Sequence, residues 1–447
     1  MMFFPPMLRR PALLAALGLA LLAPVAEATE HVPGEVVVRY APGADVARVA
    51  AADAVGPRTR VVRTRPGETV AQRARRLRAR PDVLSATPNY IARASYIPND
   101  PGRAGTPGGW QEVQWNFVGP FGINAPTAWD QVAEVGRAGA AGVTIAVLDT
   151  GVAYSDRGRF ARSPDLRGNR FERGYDFVDD DRYPNDHNGH GTHVASTIAE
   201  SNDNAVGVTG LAFGARIMPV RVLDRWGEGD SAAIAEGIRF ASRKGAEIIN
   251  LSFEFGAGVS AGQIPDILDA LKYARRRGVL VVGASGNAAR ASVAYPARAH
   301  DVLSVGATTE HGCLAEYSNK GPTLDLVAPG GGPDAPLDDD VNCRPLDDTA
   351  RDIVQMTFRP RTRSFGLPGG YTGTSMAAPH VSATAALVIA SGVLGPDPSP
   401  DALEARLKGT ARDLGPPGPD NRYGAGLIDA AAATLRAPAP PAPPPAG

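Results

Sequence analysis

Cysteine is nearly missing from this chain, at 2 of 447 residues. So few exclude a disulfide-stapled scaffold and a cysteine-rich zinc module, both of which need closely spaced clusters. An excess of one charge is missing too. Lys and Arg number 46 against 47 Asp and Glu, a formal net charge of −1, which supplies no general attraction to nucleic acid. Past the opening segment no apolar run reaches the roughly 18 residues that a bilayer-spanning helix needs. What is left is ordinary: 43% hydrophobic and 21% charged residues, a mix that excludes wholesale disorder and provides for a sizeable core. The length suits one large domain with a small companion, or two to three average domains.

The opening segment reads as an address rather than as fold. In MMFFPPMLRRPALLAALGLALLAPVAEATE, Arg9 and Arg10 precede an apolar run from Ala12 to Val25, and a small-residue box at Ala26–Ala28 follows. That is the layout of a secretory signal over residues 1–28, cleaved after Ala28. The run is too short to span a membrane, and no cysteine follows the box to carry a lipid. The expectation is an exported chain, extracellular or periplasmic, with no membrane anchor. Export permits a disulfide, so Cys313 and Cys343 are expected to pair, with two buried thiols as the alternative.

Residues 29–95 read as a small α+β unit. EVVVRY and VLSATPNY have strand character, and ETVAQRARRLRAR has helix character. This stretch holds 12 arginines against 6 acidic residues, whereas the chain from Ser95 onward holds 32 basic and 40 acidic ones. Opposite signs suit a basic unit that docks on the acidic remainder; independent domains with a chance bias fit them as well. After the loop-rich connector SYIPNDPGRAGTPGGWQE, residues 96–435 alternate apolar runs (VTIAVLD, RIMPVRVL, AEIINLSF, GVLVVGASG, DVLSVGAT, LDLVAPG) with helical patterns. Apolar strands without alternation, separated by helices, predict an α/β fold: a parallel sheet with helices on both faces. The site is then expected at the carboxyl ends of the strands. A Gly/Pro/Asp-rich stretch over 330–370 reads as an insertion loop, which a Cys313–Cys343 bridge would tie down. Residues 436–447 form a Pro-rich tail.

Four short pieces carry chemistry. VTIAVLDTG ends an apolar strand in Asp149, a costly place for a carboxylate unless it is hydrogen-bonded or paired; a turn or capping Asp is the plain alternative. HNGHGTHVAS supplies His187, His190 and His193, with His190 opening an apolar helix. No Cys cluster or HExxH pattern accompanies them, so zinc is not expected. VVGASGNAA presents Asn287 at a strand end, where a simple turn Asn is equally ordinary. In GYTGTSMAAPH, Ser375 precedes an Ala-rich helix, which taken alone is a helix cap. Together, Asp149, His190 and Ser375 stand in the order of one known arrangement of acid, base and nucleophile.

The motifs INAPTAWD, AVLDTG, HGTHVA, GNAA, GTSMAAPH and YGAGLIDA, spread from about residue 98 to 433, make the chain similar to the subtilisin-like serine peptidases. GTSMAAPH and HGTHVA together are the specific part of that resemblance. It implies a secreted serine endopeptidase with Ser375 as nucleophile, His190 as base, Asp149 as its orienter and Asn287 as oxyanion donor. No cofactor is implied for the chemistry. The unit over 29–95 resembles the family's inhibitory propeptide, an intramolecular chaperone removed by the enzyme itself. Polypeptides are the implied substrates, acted on by a monomer without nucleic acid or membrane partners.

For substrate binding the resemblance points to the backbone of Ser252, Phe253 and Glu254 along one edge of an extended peptide and Gly229 along the other. Relatives usually show Ser-Leu-Gly where this chain has Ser-Phe-Glu. Glu254 therefore borders the pocket for the residue before the scissile bond, with Ala294 at its floor, and is expected to bias that pocket toward Arg or Lys; a solvated rim Glu is the alternative. ESNDNAVGVTG resembles a loop that wraps calcium, which implies Gln114, Asp165 and Asn204 side chains and Val206 and Val208 carbonyls as ligands, a hard-oxygen set suited to that ion. Two rival readings are an inactive relative that serves as a binding protein and an acid-acting serine-carboxyl peptidase. The intact set of four argues against the first, and His190 in place of a carboxylate argues against the second.

Overall fold

The computed structural model describes residues 31–44, 52–54, 58–90, 96–346, 350–358 and 361–436. The expected signal segment and all but the first residue of the expected tail lie outside the described residues. The chain divides into two compact units, one within residues 1–94 and one over Ser95–Ala439.

In the first unit, β1 (His31–Tyr40), β2 (Ala52–Ala54), β3 (Thr59–Arg63) and β4 (Val83–Tyr90) form an antiparallel sheet in the order β2-β3-β1-β4. The helix Val70–Arg78 opens on a reciprocal cap. Thr69 Oγ1 accepts the Gln72 N–H at 3.2 Å, and Gln72 Oε1 accepts the Thr69 N–H at 3.0 Å. Its Val70, Ala74 and Leu77 share one face and meet Val36, Val38 and Tyr40 of β1, while Arg75, Arg76 and Arg78 face solvent. Three of the 12 arginines over residues 29–95 are therefore gathered on one exposed helix face. The strands β2 and β3 are additions to the expected outline.

The second unit is built on an eight-stranded sheet. Its strands are β5 (Thr144–Asp149), β6 (Arg170–Phe171), β7 (Tyr175–Asp176), β8 (Arg216–Arg221), β9 (Ile248–Leu251), β10 (Leu280–Ala284), β11 (Leu303–Thr308) and β12 (Leu326–Pro329). The order is β12-β11-β10-β9-β5-β8-β6, with β7 also on β8, and every pairing is parallel. Both faces are covered, as the unbroken apolar runs require. Along β5, Ile145 and Val147 join a core with the helices His190–Ala199 and Thr374–Ser391, while Ala146 and Leu148 join a second core with Ser231–Arg243 and Pro265–Arg276. Because the strands run the same way, Asp149, Ser252 and Asn287, at or just past the ends of β5, β9 and β10, all lie at one edge of the sheet.

The segment 330–370 is less separate than its composition implies. Cys343 is joined to Cys313 by a disulfide, 30 residues apart in sequence, which on loop-closure grounds contributes roughly 3.5 kcal/mol. Further on, Ile353–Phe358 is buried against the His190–Ala199 helix. The Ile353 carbonyl lies 3.0 Å from His193 Nε2, the Met356 carbonyl accepts Ser196 Oγ at 3.0 Å, and Thr357 Oγ1 donates to the Gly189 carbonyl at 2.7 Å. The stretch Ile353–Phe358 of the expected loop is thus part of the wall that seats the His190–Ala199 helix. Among the described residues no helix is long and apolar enough to cross a membrane.

Candidate active site

Asp149 is fully buried at the end of β5, and its Oδ1 lies 2.8 Å from His190 Nδ1, with the Thr150 N–H on the same oxygen at 2.7 Å. The His190 ring is about one quarter exposed, against none of Asp149. Burial works against a charged imidazole, but the adjacent Asp149 charge and its hydrogen bond outweigh it and raise the pKa above the ordinary histidine value. Gly191 has to be glycine: a Cβ there would collide with the Gly151 carbonyl and press on Asp149 at 3.0 Å. The absent side chain is what lets helix and strand end approach closely enough for this pair.

A residue outside the expected set holds this helix start. Asp186 is buried, and its Oδ1 accepts the Thr150 hydroxyl and the N–H groups of Asn188 and Gly189 at 2.8–3.0 Å. Its Oδ2 accepts both the N–H and the hydroxyl of Thr192 at 2.9 and 2.6 Å. Five donors on one carboxylate fix the turn that carries His190. The only sequence signal was an Asp a few residues ahead of an apolar helix, next to an Asn-Gly turn. His193 is buried, stacked on Tyr371 at 4.1 Å, and burial pushes it down to about 3, so it remains neutral and structural.

Ser375 is the second residue of the 18-residue helix Thr374–Ser391, all of whose other residues are buried. Pro379 lies inside this helix and has no N–H to offer the Ser375 carbonyl four residues back. The vacancy is filled from β9: Ser252 Oγ donates to the Ser375 carbonyl at 2.9 Å, and the Ser375 hydroxyl donates to the Ser252 carbonyl at 2.9 Å. Ser252 Oγ in turn accepts from Asn250 Nδ2 at 2.8 Å, whose Oδ1 accepts Ser382 Oγ at 2.8 Å. Ser375 is clamped by a buried polar chain, and its hydroxyl rests on Ser252; no hydrogen bond joins it to His190.

Asn287 is exposed just beyond β10. Its Oδ1 accepts the N–H and the hydroxyl of Thr374 at 2.8 and 2.9 Å, which leaves the NH₂ as the free end of the amide. A point placed as a Cβ on Gly373 lies 3.6 Å from both Asn287 Nδ2 and Oδ1, the latter taken up by Thr374, and 3.7 Å from the Ser375 nitrogen. Two donors therefore border one small space at the positive end of a long helix, the arrangement that stabilises a developing oxyanion.

Of the expected substrate residues, Glu254 and Ala294 line one cavity of about 320 Å³, shared with Arg290 and Arg298. Glu254 Oε1 accepts the Asn287 N–H at 2.8 Å. Gly229 lies at an exposed edge where a Cβ would collide with the Val222 carbonyl, and Ser252 and Phe253 follow β9 directly. The residues expected around calcium also lie together. Asp165 Oδ1 accepts Asn204 Nδ2 at 2.7 Å and its Oδ2 accepts the Val208 N–H at 3.1 Å. The Asn204 and Gln114 side-chain oxygens are committed to the N–H groups of Val206 and Thr209 at 2.8 and 3.0 Å. Among the described residues no three His, Cys, Asp or Glu side chains are arranged to hold a metal ion.

Comparison with known proteins agrees with this geometry. A model of the subtilase family matches residues 140–426. The chain is 36% identical over 312 residues to the thermophilic serine proteinase of Bacillus sp. (strain AK1), a match that covers 70% of this chain and 64% of that protein. It is 37% identical over 324 residues to subtilisin Savinase of Lederbergia lenta, covering 72% of this chain and 99% of that one. A solved protease structure from Pseudoalteromonas arctica PAMC 21717 superimposes with a TM-score of 0.60 at 31% identity, over 76% of this chain and 99% of its own. With the parallel sheet, the strand-end aspartate beside a histidine and the serine at a helix start, the chain belongs to the subtilase family of serine endopeptidases.

Proposed function

We propose that this chain is an exported endopeptidase that cuts polypeptides through Asp149, His190 and Ser375 and matures by removing its own amino-terminal unit. The 2.8 Å contact between Asp149 and His190, at the sheet edge where Ser252 also holds Ser375, is the observation that bears most of this reading. An alcohol is a weak nucleophile at neutral pH and needs a base in contact. On substrate approach the Ser375 hydroxyl leaves the Ser252 carbonyl for Nε2 of His190, an exchange of one neutral hydrogen bond for another that costs about 1 kcal/mol or less. His190 takes the proton as Ser375 Oγ bonds to the carbonyl carbon, and returns it to the amine as the C–N bond breaks. Asp149 holds the ring with Nδ1–H toward itself and stabilises the imidazolium. The oxyanion is received by Asn287 Nδ2 and the Ser375 N–H. Water then repeats the sequence on the acyl-enzyme.

The backbone of Ser252–Glu254 and of Gly229 pairs with the substrate as an extended strand, a mode that survives changes of side chain. The cavity of Glu254 and Ala294 takes the side chain before the scissile bond. The electrostatic ground for a basic residue there is offset by Arg290 and Arg298 in the same lining. Calcium is retained as a structural ion at Asp165, Asn204 and the carbonyls of Val206 and Val208. What supports it is a group of buried carboxylates that would gain from a cation: burial, with Asp100 near, raises Asp165; burial, with Asp165 and Asp100 near, raises Glu200 well above the carboxylate range; and burial lifts Asp100 to about 6. The Gln114 and Asn204 oxygens, committed to the Thr209 and Val206 N–H groups, would each have to give up that bond to join the ion.

Expression of wild type beside Ser375→Ala tests the core of the proposal. Wild type is expected to lose its amino-terminal unit by cleavage near residues 90–110, while the variant keeps it. Equal lengths for the two, together with no labelling of wild type by a fluorophosphonate probe, would remove the reading.

A further inference from the structure

We propose that an arginine-lined depression next to His190 is a substrate subsite for a carboxylate side chain, Asp or Glu, placed within about three residues of the bond being cut. The inference rests on the peptidase reading and adds a substrate class to it.

The depression is a cavity of about 610 Å³ whose lining includes Arg159, Arg225, Arg361 and Arg363, with Phe160 and His187, and no carboxylate. Among the described residues none of the four guanidinium groups is paired with an acid. Arg225 lies over Trp226, Arg159 over Phe160, and Arg363 Nη1 donates to the Gly158 carbonyl at 2.8 Å. Guanidinium groups stay charged at any working pH, and gathering four around one space is unfavourable until an anion enters. A planar carboxylate is the anion whose geometry two arginines match best.

The space is built rather than accidental. Thr362 Oγ1 donates to the Arg159 carbonyl at 2.7 Å and the Ala161 N–H to the Thr362 carbonyl at 3.2 Å, which ties the turn 361–364 to the loop 158–161. His187 stacks on Phe160 at 4.7 Å, and its Nδ1 lies 3.4 Å from an Arg159 nitrogen. Burial, with Arg221 and Arg159 near, pushes this histidine down to about 4, so it adds no fifth positive charge and accepts from Arg159 instead.

Its link to the chemistry is a single residue. Asn188 Nδ2 donates to the Arg225 carbonyl at 3.0 Å, and Asn188 Oδ1 accepts the His190 N–H at 3.1 Å. His187 precedes His190 by three residues, and three Cα steps of about 3.8 Å bound their separation near 11 Å. An extended substrate advances about 3.3 Å per residue, so about 11 Å spans roughly three residues, the reach from the scissile bond proposed for the acidic side chain.

The test uses internally quenched peptides of one sequence with Asp or Asn at each position on both sides of the scissile bond. At one or two adjacent positions Asp is expected to raise kcat/KM roughly tenfold over Asn, and the ratio should shrink severalfold between about 20 and 500 mM NaCl. In R225S/R361S the ratio should fall to about one, and in R225E/R361E a Lys peptide should overtake the Asp peptide, a reversal that misfolding cannot produce. No gain at any position, or a gain that persists in R225S/R361S, overturns the proposal, as does inorganic sulfate that shifts the thermal midpoint while acidic and neutral peptides are cut alike. Fluorescence anisotropy of the same peptides on Ser375→Ala, which needs no turnover, separates the two readings. Preference for the acidic peptide there with no cleavage by wild type would sink the peptidase reading alone; equal binding would sink the subsite.

Discussion

Ser252→Ala probes the clamp on the nucleophile without touching the Asp149–His190 pair. It removes the donor to the Ser375 carbonyl and the acceptor for Asn250 Nδ2, both in a buried setting. Each buried polar group left unpaired costs about 1–3 kcal/mol, and Asn250 keeps its bond from Ser382, so a net loss of roughly 2 kcal/mol is expected. Over Ser95–Ala439, an unfolding entropy of about 2.1 cal/mol/K per residue turns that into a fall of roughly 3 °C in the thermal midpoint. The structure also names the rescue. Pro379→Ala restores an N–H four residues after Ser375, so the double variant S252A/P379A should recover most of the loss, less the ~0.4–1 kcal/mol that proline confers through the unfolded chain. P379A alone, which offers a second donor to a satisfied carbonyl, should change little. All four proteins are compared in the Ser375→Ala background, which keeps the carbonyl and removes self-digestion. A double variant no more stable than S252A would refute the account of why Pro379 and Ser252 occur together.

The remaining expectations concern the site itself. Asn287→Ala should lower kcat about 10²–10³-fold with little change in KM, since the amide acts on charge that exists only in the transition state; a change confined to KM would assign Asn287 to ground-state binding. The base is active when neutral, and Asp149 raises the His190 pKa. Activity should therefore be lost as pH falls through that raised value, and in Asp149→Asn the acid limb of kcat/KM should move to lower pH along with a drop in rate; an unmoved limb would mean that another group sets it. The same raised pKa makes the His190–Asp149 pair contribute stability that is fully present below the unfolded histidine value and lost as pH rises through the folded one. Removal of calcium by a chelator should lower the thermal midpoint by about 4 °C where the ion had been at 100 times its Kd, and Asp165→Asn should abolish the difference; equal midpoints with and without chelator would leave Asp165 and Glu200 as a proton-sharing pair.

The sheet was legible because burial on two faces leaves a mark in composition. A strand such as TIAVLD, buried throughout and apolar from Ile145 to Leu148, admits few other fates, and parallel order then sends the polar residue after each run to one edge. The reading of 330–370 fell short for the opposite reason. Buried positions such as Ile353 and Met356 are held largely by backbone carbonyls that accept from His193 and Ser196, a pairing some 160 residues long that leaves no periodicity to read. Strand β2 has only three residues, and β3, TRVVR, holds two apolar residues between arginines, which leaves no apolar run to read.

Within the site, Asp149, His190, Asn287 and Ser375 showed in the motifs because each is a polar residue standing at the start or the end of an apolar run, whereas residues that hold a turn or fill a backbone vacancy, Asp186 and Ser252, did not. Ser252, in contrast, was expected to matter through its backbone, yet its hydroxyl carries half of the clamp. Its partner is a carbonyl that exists unpaired only because Pro379 interrupts the helix ladder. Neither fact is visible in INLSF or in SMAAPH alone. They become one statement when β9 is laid beside the helix, and that statement explains a proline at the sixth position of the 18-residue helix. A proline there costs the helix one hydrogen bond, and what it releases is the Ser375 carbonyl, which Ser252 can grip. Ser375 is thus positioned from outside its own helix; in the proposed mechanism this would let its hydroxyl turn from Ser252 to His190 while its backbone stays in place.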